Sequence, residues 1–459
     1  MILPFGEPPA GAPPSQPGGL LLAAPASGSG KTTLTLSLLR SLRDAGLAVS
    51  SVKVGPDYID PAFHRAASGR ACFNLDGWAM RPETLAGALA QAGEGAELIL
   101  GEGVMGLFDG APVAGIEGLA AGSTAELAAL TGWPVVLAVD CSGMGASVAA
   151  LAQGFARFHP AVAVAGVILN NVASPRHEDL LRAACDGAGL AVYGAVARDA
   201  ALARPSRHLG LVQAGEDAAL EGFLAAAAET VAAQVDLAAL SAVAKPARLS
   251  GAPPALPLPP LGQRIAVARD IAFAFAYPLL LQAWRRQGAE ILPFSPLAGE
   301  APDPDADAVY LPGGYPELHA GRLAGNAPFL AGLKAAAARG AVVYGECGGY
   351  MVLGQGLEDA EGRRHAMAGL LPLQSSFKEP LRHLGYRRAV SLAAGPLGLA
   401  GTAYRGHEFH YARVLGSEGP AESALFEATP AAGGAAAAVG QCSGRVLGSF
   451  LHLIDREPA

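Results

Sequence analysis

What this chain can fold into is constrained first by the alternation of short apolar runs with helical patterns. GLLLAA, AVSSVKV, ELILGEG, PVVLAVD, VAVAGVILNNV and AVYGAVAR succeed one another through the first half. Runs of this length and apolarity are what strands buried on both faces look like, and such strands need helices to cover them. After a stretch crowded with Pro and Gly, KPARLSGAPPALPLPPLGQ, the rhythm resumes with RIAVARD, AEILPFSP, DAVYLPGG and AVVYGECGG. The pattern predicts an α/β protein of two doubly wound domains, at 19–244 and 264–459, joined by a linker at 245–263 and preceded by a flexible leader at 1–18. A chain of 459 residues is long enough for that at about 150 residues per domain, and no short-period repeat points to a solenoid.

Composition removes several function classes. Hydrophobic residues at 51% and charged residues at 16% exclude disorder throughout. The formal net charge is -8, from 32 basic and 40 acidic side chains, with no dense Lys/Arg run, so neither nucleic acid nor an anionic membrane is an expected partner. The first residues carry six prolines and no Lys or Arg before Lys31, unlike a secretory signal, and no apolar run reaches the ~18 residues of a membrane span. A cytoplasmic protein is expected. The cysteines, Cys72, Cys141, Cys185, Cys347 and Cys442, show neither a disulfide framework nor metal-binding CxxC spacing.

SGSGKTT stands between an apolar run and a helical pattern, the context that makes a Gly-rich string a phosphate loop. Ser27, Gly28, Ser29, Gly30, Lys31, Thr32 and Thr33 are the expected ATP contacts: backbone N–H groups hold the anion, Lys31 adds a point charge and Thr32 offers a hydroxyl to Mg²⁺. Pro25 stands where the usual pattern has its first Gly. Such a site also needs carboxylates at the open ends of neighbouring strands. Asp57 and Asp60 follow one strand, crowded with Lys53 and Tyr58 into eight residues; Glu102 closes another, with Asp109 beyond it. Asp140, ending a third strand, is either a further carboxylate of this kind or the cap of the following turn, while Asn170 and Asn171 either read an adenine edge or cap their loop.

The second chemistry-bearing element is VVYGECGGY. Gly345, Cys347 and Gly349 form G-x-C-x-G between an apolar strand and a helical run, the geometry of a nucleophile elbow whose helix N-terminus favours the thiolate. The other four cysteines read as packing residues. A partner base belongs on a later strand, where GSFLHLID supplies His452; His407 and His410, flanking Glu408 in GHEFHYAR, compete for the role. Gly313 and Gly314 in LPGGYPEL, with Gly348 after the nucleophile, either offer N–H groups to an oxyanion or make a tight turn.

With SGSGKTT, KVGPDYIDP, EGVMGLFDG, LPGGYPE, GECGGYM and GHEFHYAR in this order, the chain resembles the cobyrinic acid and hydrogenobyrinic acid a,c-diamide synthases of cobalamin biosynthesis from about Gly19 to Asp455. The resemblance implies a dethiobiotin-synthetase-like domain followed by a class I glutamine amidotransferase domain of flavodoxin-like fold. It implies ATP-driven amidation of two macrocycle carboxylates, a and c, through an acyl phosphate. Cys347 and His452 would release ammonia from glutamine; Asp57, Asp60 and Glu102 would serve the synthetase reaction; Lys53, Tyr58 and Asp109 would line the phosphoryl and substrate region; and Thr32, Asp57 and Glu102 would hold Mg²⁺. Class I domains place a Glu two residues after the catalytic His, whereas this chain has Ile454 there, so the resemblance leaves the partner of His452 unassigned.

An acidic protein must meet a polycarboxylate through local cations. His64, Arg65 and Arg81 form one candidate set, and Lys378, Arg382, His383, Arg387 and Arg388 another. Cobyric acid synthase and nickel-sirohydrochlorin amidation are the neighbouring readings, and a partition-type ATPase switch is the rival from another class. Pro25, Ala26 and Ser27 stand where that switch usually has an extra Lys, and it has no use for a cysteine elbow. The macrocycle's cobalt content and the order of amidation stay open, as does a homodimer.

Overall fold

The computed structural model describes residues 16–199, 213–249, 256–415 and 423–458, with residue 202 and the pairs 206–207 and 210–211. Most of the expected leader, and residues 250–255 of the expected linker, lie outside them. The first half is built on seven strands: β1 (Gly18–Ala23), β2 (Val49–Val54), β3 (Cys72–Leu75), β4 (Leu98–Glu102), β5 (Val135–Asp140), β6 (Val164–Val172) and β7 (Val192–Ala197). They form one parallel sheet in the order β3-β2-β4-β1-β5-β6-β7. Helices α1 (Lys31–Asp44), α2 (Asp60–Ser68), α3 (Pro82–Gly93), α4 (Thr124–Thr131), α5 (Ser147–Phe158) and α6 (Pro175–Gly187) make the crossovers.

The order reverses beside β1, which has β4 on one side and β5 on the other. An open α/β sheet places its ligand at such a point, beyond the carboxyl ends of the strands. Register brings Lys53 opposite Glu102 and Leu22 opposite Glu102, so three strand ends converge where the glycine loop leaves β1.

The second half opens with the parallel strands the sequence predicts. Glu290–Phe294, Arg264–Ala268, Ala308–Leu311, Val342–Glu346 and Val446–Ser449 lie side by side in that order, with Gln441–Ser443 antiparallel at the edge. The sequence reading does not anticipate the sheet that stands beside them. A five-stranded antiparallel sheet, including His383–Ser391, Ala403–His410 and Leu451–Arg456, stands against the nucleotide domain. Its strands mix Arg, His and Gly with aromatics, and such half-exposed edges carry no clean period. Among the described residues no helix is long and apolar enough to cross a membrane.

One apolar core runs from Leu20 in β1 to Ile454 near the C-terminus, so the halves share packing. The described parts of the 245–263 segment are fastened: Lys245 bridges to Gly19, the Arg248 N–H donates to the Thr131 carbonyl at 2.8 Å, and Leu258 is buried. Between the halves the Tyr386 hydroxyl donates to Asp76 at 2.8 Å, the Tyr277 hydroxyl to the Pro56 carbonyl at 2.9 Å, and Trp78 stacks on Tyr386.

Arg81, named above as a candidate for macrocycle binding, is instead a clasp. Its Nη2 lies 2.9 Å from Asp455 Oδ1, its backbone N–H donates to Asp455 Oδ2 at 2.9 Å, and Asp455 is fully buried. Removing one partner of a buried pair strands the other charge, at a cost of about 3–5 kcal/mol. Arg81→Ala is therefore expected to lower the thermal midpoint far more than Arg388→Ala, whose partner pair is half exposed; calorimetry of the two variants checks this.

Candidate active site

The glycine loop owes its shape to two left-handed residues, Gly28 at φ 82° and Gly30 at φ 80°, a region that disfavours any side chain. Gly30 caps α1, and a Cβ there would strike the side-chain amide of Asn170. That amide donates to the Ser29 carbonyl at 2.9 Å. Asn170 thus braces the loop, with one amide N–H engaged by Ser29. Ser29 donates to the Ala26 carbonyl at 2.9 Å, and Thr33 reaches the Leu202 carbonyl at 3.5 Å. The loop leads directly into the first turn of α1, and a helix N-terminus of this kind offers backbone N–H groups to an anion.

Beneath the loop lies a buried cluster of charge. Glu102, without solvent exposure, accepts from the Thr32 hydroxyl at 2.6 Å, from Lys53 at 2.7 Å and pairs with His64 at 2.7 Å. Lys53 also meets Asp60 at 2.6 Å. Burial works against the charge on Lys53, but Asp60 and Glu102 overcome it and hold the ammonium well above its ordinary range. His64 loses charge to burial and regains it from Cys72 and Glu102, which push it up to about 10. Burial would raise Glu102, yet Lys53 and His64 hold it well below the carboxylate range. His64 therefore belongs to this cluster and not to a solvent-facing set of macrocycle cations.

Lys31 enters from above, donating to the Met105 carbonyl at 3.2 Å, and burial lowers its pKa. Met105 has φ 43°, a strained value for a non-glycine residue, in the loop that faces the glycine loop. Asp57 accepts from the N–H groups of Ile59 and Asp60 at 2.8 and 2.9 Å, starting α2, while Asp109 accepts from the Gly106 N–H at 2.9 Å. Of the expected Mg²⁺ set Thr32, Asp57 and Glu102, Thr32 and Glu102 are in contact, while Asp57 Oδ1 accepts from the start of α2. Thr32 and Glu102, two hard oxygen donors in contact beneath the loop, are of the kind Mg²⁺ takes, an ion that uses few protein ligands beside phosphate and water. Asp140 and Asn171 bond to each other at 3.0 Å, away from this cluster.

The cysteine elbow forms as expected in backbone and differently in charge. Cys347 ends the strand Val342–Glu346 and caps the helix Gly348–Leu353 at φ 47°, ψ -104°, the strained turn of a nucleophile elbow. It is 3% exposed, and burial with Glu317 nearby pushes the thiol well above its usual range; the Gly348 N–H pulls the other way and loses. The helix terminus alone does not make a thiolate here. A Cβ on Gly313 would lie 3.0 Å from His452 Nε2 and 3.3 Å from Cys347 Cβ, so base and nucleophile face one point. Gly348 packs on the N–H of Gly314, where a Cβ would come within 3.0 Å. His410 also lines the Cys347 pocket, but it lies flat on Phe450 and bonds Glu408 at 3.2 Å.

Beside His452, at the end of the strand that precedes the nucleophile, stands Glu346. Its Oε2 is 4.0 Å from His452 Nδ1, and the carboxylate accepts from the hydroxyls of Tyr310 and Tyr344 at 2.7 and 2.8 Å and from the Leu453 N–H at 3.2 Å. The sequence reading passed over Glu346 although it carries the signal that drew attention to Glu102, an acid closing an apolar strand. Burial lowers His452 to about 3 and raises Glu346 to about 7, with neutral donors offsetting only part of the latter.

The remaining candidate cations sit apart. Arg387 pairs with Glu408 at 2.8 Å and lines a cavity of about 550 Å³ between the halves; Lys378, Arg382 and Arg388 are exposed, and Arg65 faces a separate cavity of about 470 Å³.

Because Glu346 binds its proton more tightly when folded, its contribution to stability is present below its unfolded value of 4.5 and is lost as pH rises through about 7. Glu346→Gln removes that dependence. The variant's thermal midpoint relative to wild type is expected to improve on going from about pH 5 to about pH 8, and melting curves across that range test the sign.

Known proteins match both halves of the chain. Residues 20–212 match the CobQ/CobB/MinD/ParA nucleotide binding domain, and residues 264–459 the CobB/CobQ-like glutamine amidotransferase domain. A hydrogenobyrinate a,c-diamide synthase of Rhodobacter capsulatus is 57% identical over 439 residues, covering 95% of this chain and 99% of that protein. Proteins of the same name from Brucella abortus and Rhizobium meliloti are 54% and 55% identical, each over 95% of this chain and covering 98% and 99% of theirs. A phosphate loop over a buried charge cluster and a cysteine elbow facing a histidine thus stand in one chain that belongs to the hydrogenobyrinate a,c-diamide synthase family.

Proposed function

We propose that this protein uses ATP and glutamine to amidate the a and c carboxylates of hydrogenobyrinic acid in cobalamin biosynthesis. The observation that carries the reading is the contact between the two sites: Tyr58, flanked by the carboxylates of the nucleotide domain, stacks on His452 of the glutaminase domain with ring centroids 4.5 Å apart. A partition-type switch would have no reason to press its nucleotide loop against a thiol site. The names of the relatives favour the cobalt-free macrocycle over cobyrinic acid, cobyric acid or nickel sirohydrochlorin. A cytoplasmic location fits substrates of this kind.

In the synthetase site the γ-phosphoryl group of ATP passes to a macrocycle carboxylate oxygen, and ADP leaves. Ammonia then attacks the acyl carbon and displaces phosphate. Ser27 to Thr33 cradle the phosphates and Lys31 neutralises charge on the transferring group, a task of position and electrostatics. Thr32 and Glu102 are the residues that would hold Mg²⁺, which when bound offsets further phosphate charge. Lys53 and His64 keep Glu102 ionised, Asp60 holds Lys53 in place, and Asp57 and Asp109 shape the loops that border the macrocycle. The cavity of about 550 Å³, with Met105, Leu384 and Phe409 as apolar walls and Arg387 as a cation, suits one edge of a flat polycarboxylate.

At the thiol site Cys347 adds to the carboxamide carbon of glutamine. Its proton passes through His452 to the departing nitrogen, leaving a thioester that water hydrolyses to glutamate. Gly314 and Gly348 offer N–H groups to the oxyanion, with Gly313 leaving room for it. Glu346 orients His452 through Nδ1 and stabilises the imidazolium as it forms, a positioning role taken from the strand before the nucleophile rather than from the strand after the base.

Product mass spectrometry with ATP, Mg²⁺ and hydrogenobyrinic acid tests the whole. Wild type is expected to add two amides from glutamine, and Cys347→Ala only when given ammonium; a wild type that hydrolyses ATP but amidates nothing rules the reading out. Glu346→Gln is expected to cut glutaminase kcat by about 10²-fold and to remove an acid limb near pH 7 from the glutaminase profile, with ammonium-driven amidation retained. A profile unchanged in shape would leave Glu346 as packing.

A further inference from the structure

The antiparallel sheet carries a group of side chains to which the reaction steps above give no task. His383 and His410 stand directly opposite each other on the strands His383–Ser391 and Ala403–His410. Glu408 lies two residues before His410, so the alternation of a strand puts all three on one face. Each offers one ligand atom, and these atoms lie within 4.8 Å of one another.

The three are packed as a set. The rings of His383 and His410 stack with centroids 4.5 Å apart and planes 11° apart, and Phe450 lies flat on His410 at 4.0 Å. Glu408 Oε1 is 3.2 Å from His410 Nε2, while Glu408 Oε2 is held by Arg387 at 2.8 Å. His410 is 5% exposed, and its Nδ1 has no hydrogen-bond partner among the described residues, which calls for an occupant or a task. Two imidazoles and one carboxylate suit a borderline divalent ion of the zinc type; Mg²⁺ and Ca²⁺ take oxygen sets. A tetrahedral ion at about 2.0–2.2 Å from each donor needs the donors about 3.3 Å apart. Glu408 and His410 already have that spacing, so only His383, half-buried at the start of its strand, has to close in. Arg387 repels any cation here, which favours one that binds nitrogen strongly.

His410 also joins this group to the thiol. With Phe409, Tyr411, Phe377 and Met351 it lines the pocket of Cys347, whose cavity of about 10 Å³ holds no more than one water. A glutamine side chain enters only if this wall gives way. We propose that His383, Glu408 and His410 form a site for a zinc-like divalent ion, and that its occupation fixes the His410 wall and slows glutamine hydrolysis at Cys347. The slowing rests on the glutaminase role of Cys347; the ion site does not. His383, counted above among the cations for the macrocycle, belongs to the ion.

Two arms with Zn²⁺ as the probe test this. In the first, Cys347→Ala protein, which has lost the competing thiol, is dialysed against Zn²⁺ and the bound ion is counted. Co²⁺ in its place is followed by visible absorption, which should lack a sulfur-to-cobalt band. One ion per chain is expected at this site, bound at least about tenfold more weakly once His383→Leu is added. A double variant that holds the ion as tightly overturns the site. In the second arm the glutaminase rate is read with and without Zn²⁺, each protein against its own zinc-free rate. Wild type should be slowed, His383→Leu should need about tenfold more Zn²⁺ for the same slowing, and amidation driven by ammonium in excess Mg²⁺ should be slowed in neither. That ammonium-driven rate also reports that the variant is folded. Equal sensitivity in wild type and His383→Leu puts the inhibiting ion on Cys347 itself and overturns the proposed slowing. A wild type that hydrolyses no glutamine removes the reading of Cys347, and the dialysis still decides the ion site.

Discussion

Everything in the nucleotide half depends on keeping one carboxylate ionised with no access to water. Glu102 is a single negative charge met by Lys53, His64 and the Thr32 hydroxyl, and each of these comes from a different element. The cost of burying that charge is offset only while the partners stay in place. Sheet order makes this possible: β2, β4 and β1 are neighbours, so Lys53, Glu102 and the loop that carries Thr32 end side by side. The phosphate loop then rests on a floor whose charge is already balanced, and an incoming triphosphate needs only Lys31 and the N-terminus of α1.

Glu346 is built the same way and ends differently. It too closes a central parallel strand and is fully buried, but its partners are two phenols and a backbone N–H, none of them charged. Neutral donors stabilise an anion less than cations do, so Glu102 is held ionised while Glu346 sits near the edge of ionisation. That difference matches the two tasks proposed for them: a carboxylate that would hold a metal must never be protonated, whereas an acid that would support an imidazolium gains from becoming fully charged only when its partner does.

The strands and loops were legible because they carry local signals. Gly28, Gly30 and Lys31 follow an apolar run, and Cys347 sits between glycines after another, so strand, turn and helix could be read without tertiary information. The antiparallel sheet was not, since its strands border a second domain and their residues serve contacts no period records. For the same reason Arg81, Arg387 and His64 could be recognised as cations but not assigned: their partners Asp455, Glu408 and Glu102 are distant in sequence or shared with others. Asn170 was visible as a strand-end amide, while its contact with Ser29 depends on β6 reaching under the loop. Glu346 differs from these; its signal was present, and the neighbouring cysteine masked it.

The interface follows from the chemistry it separates. Ammonia released into neutral water is largely protonated and ceases to be a nucleophile, and an acyl phosphate exposed to water is lost to hydrolysis, so both intermediates favour a dry boundary. The halves accordingly share one apolar core and are tied by Arg81–Asp455, Tyr386–Asp76 and Tyr277–Pro56 around the Tyr58 stack. Loosely docked domains would leave the wall to fluctuate with solvent. Fastened at its rim, it stays closed, and at its centre a ring of one domain covers the histidine of the other.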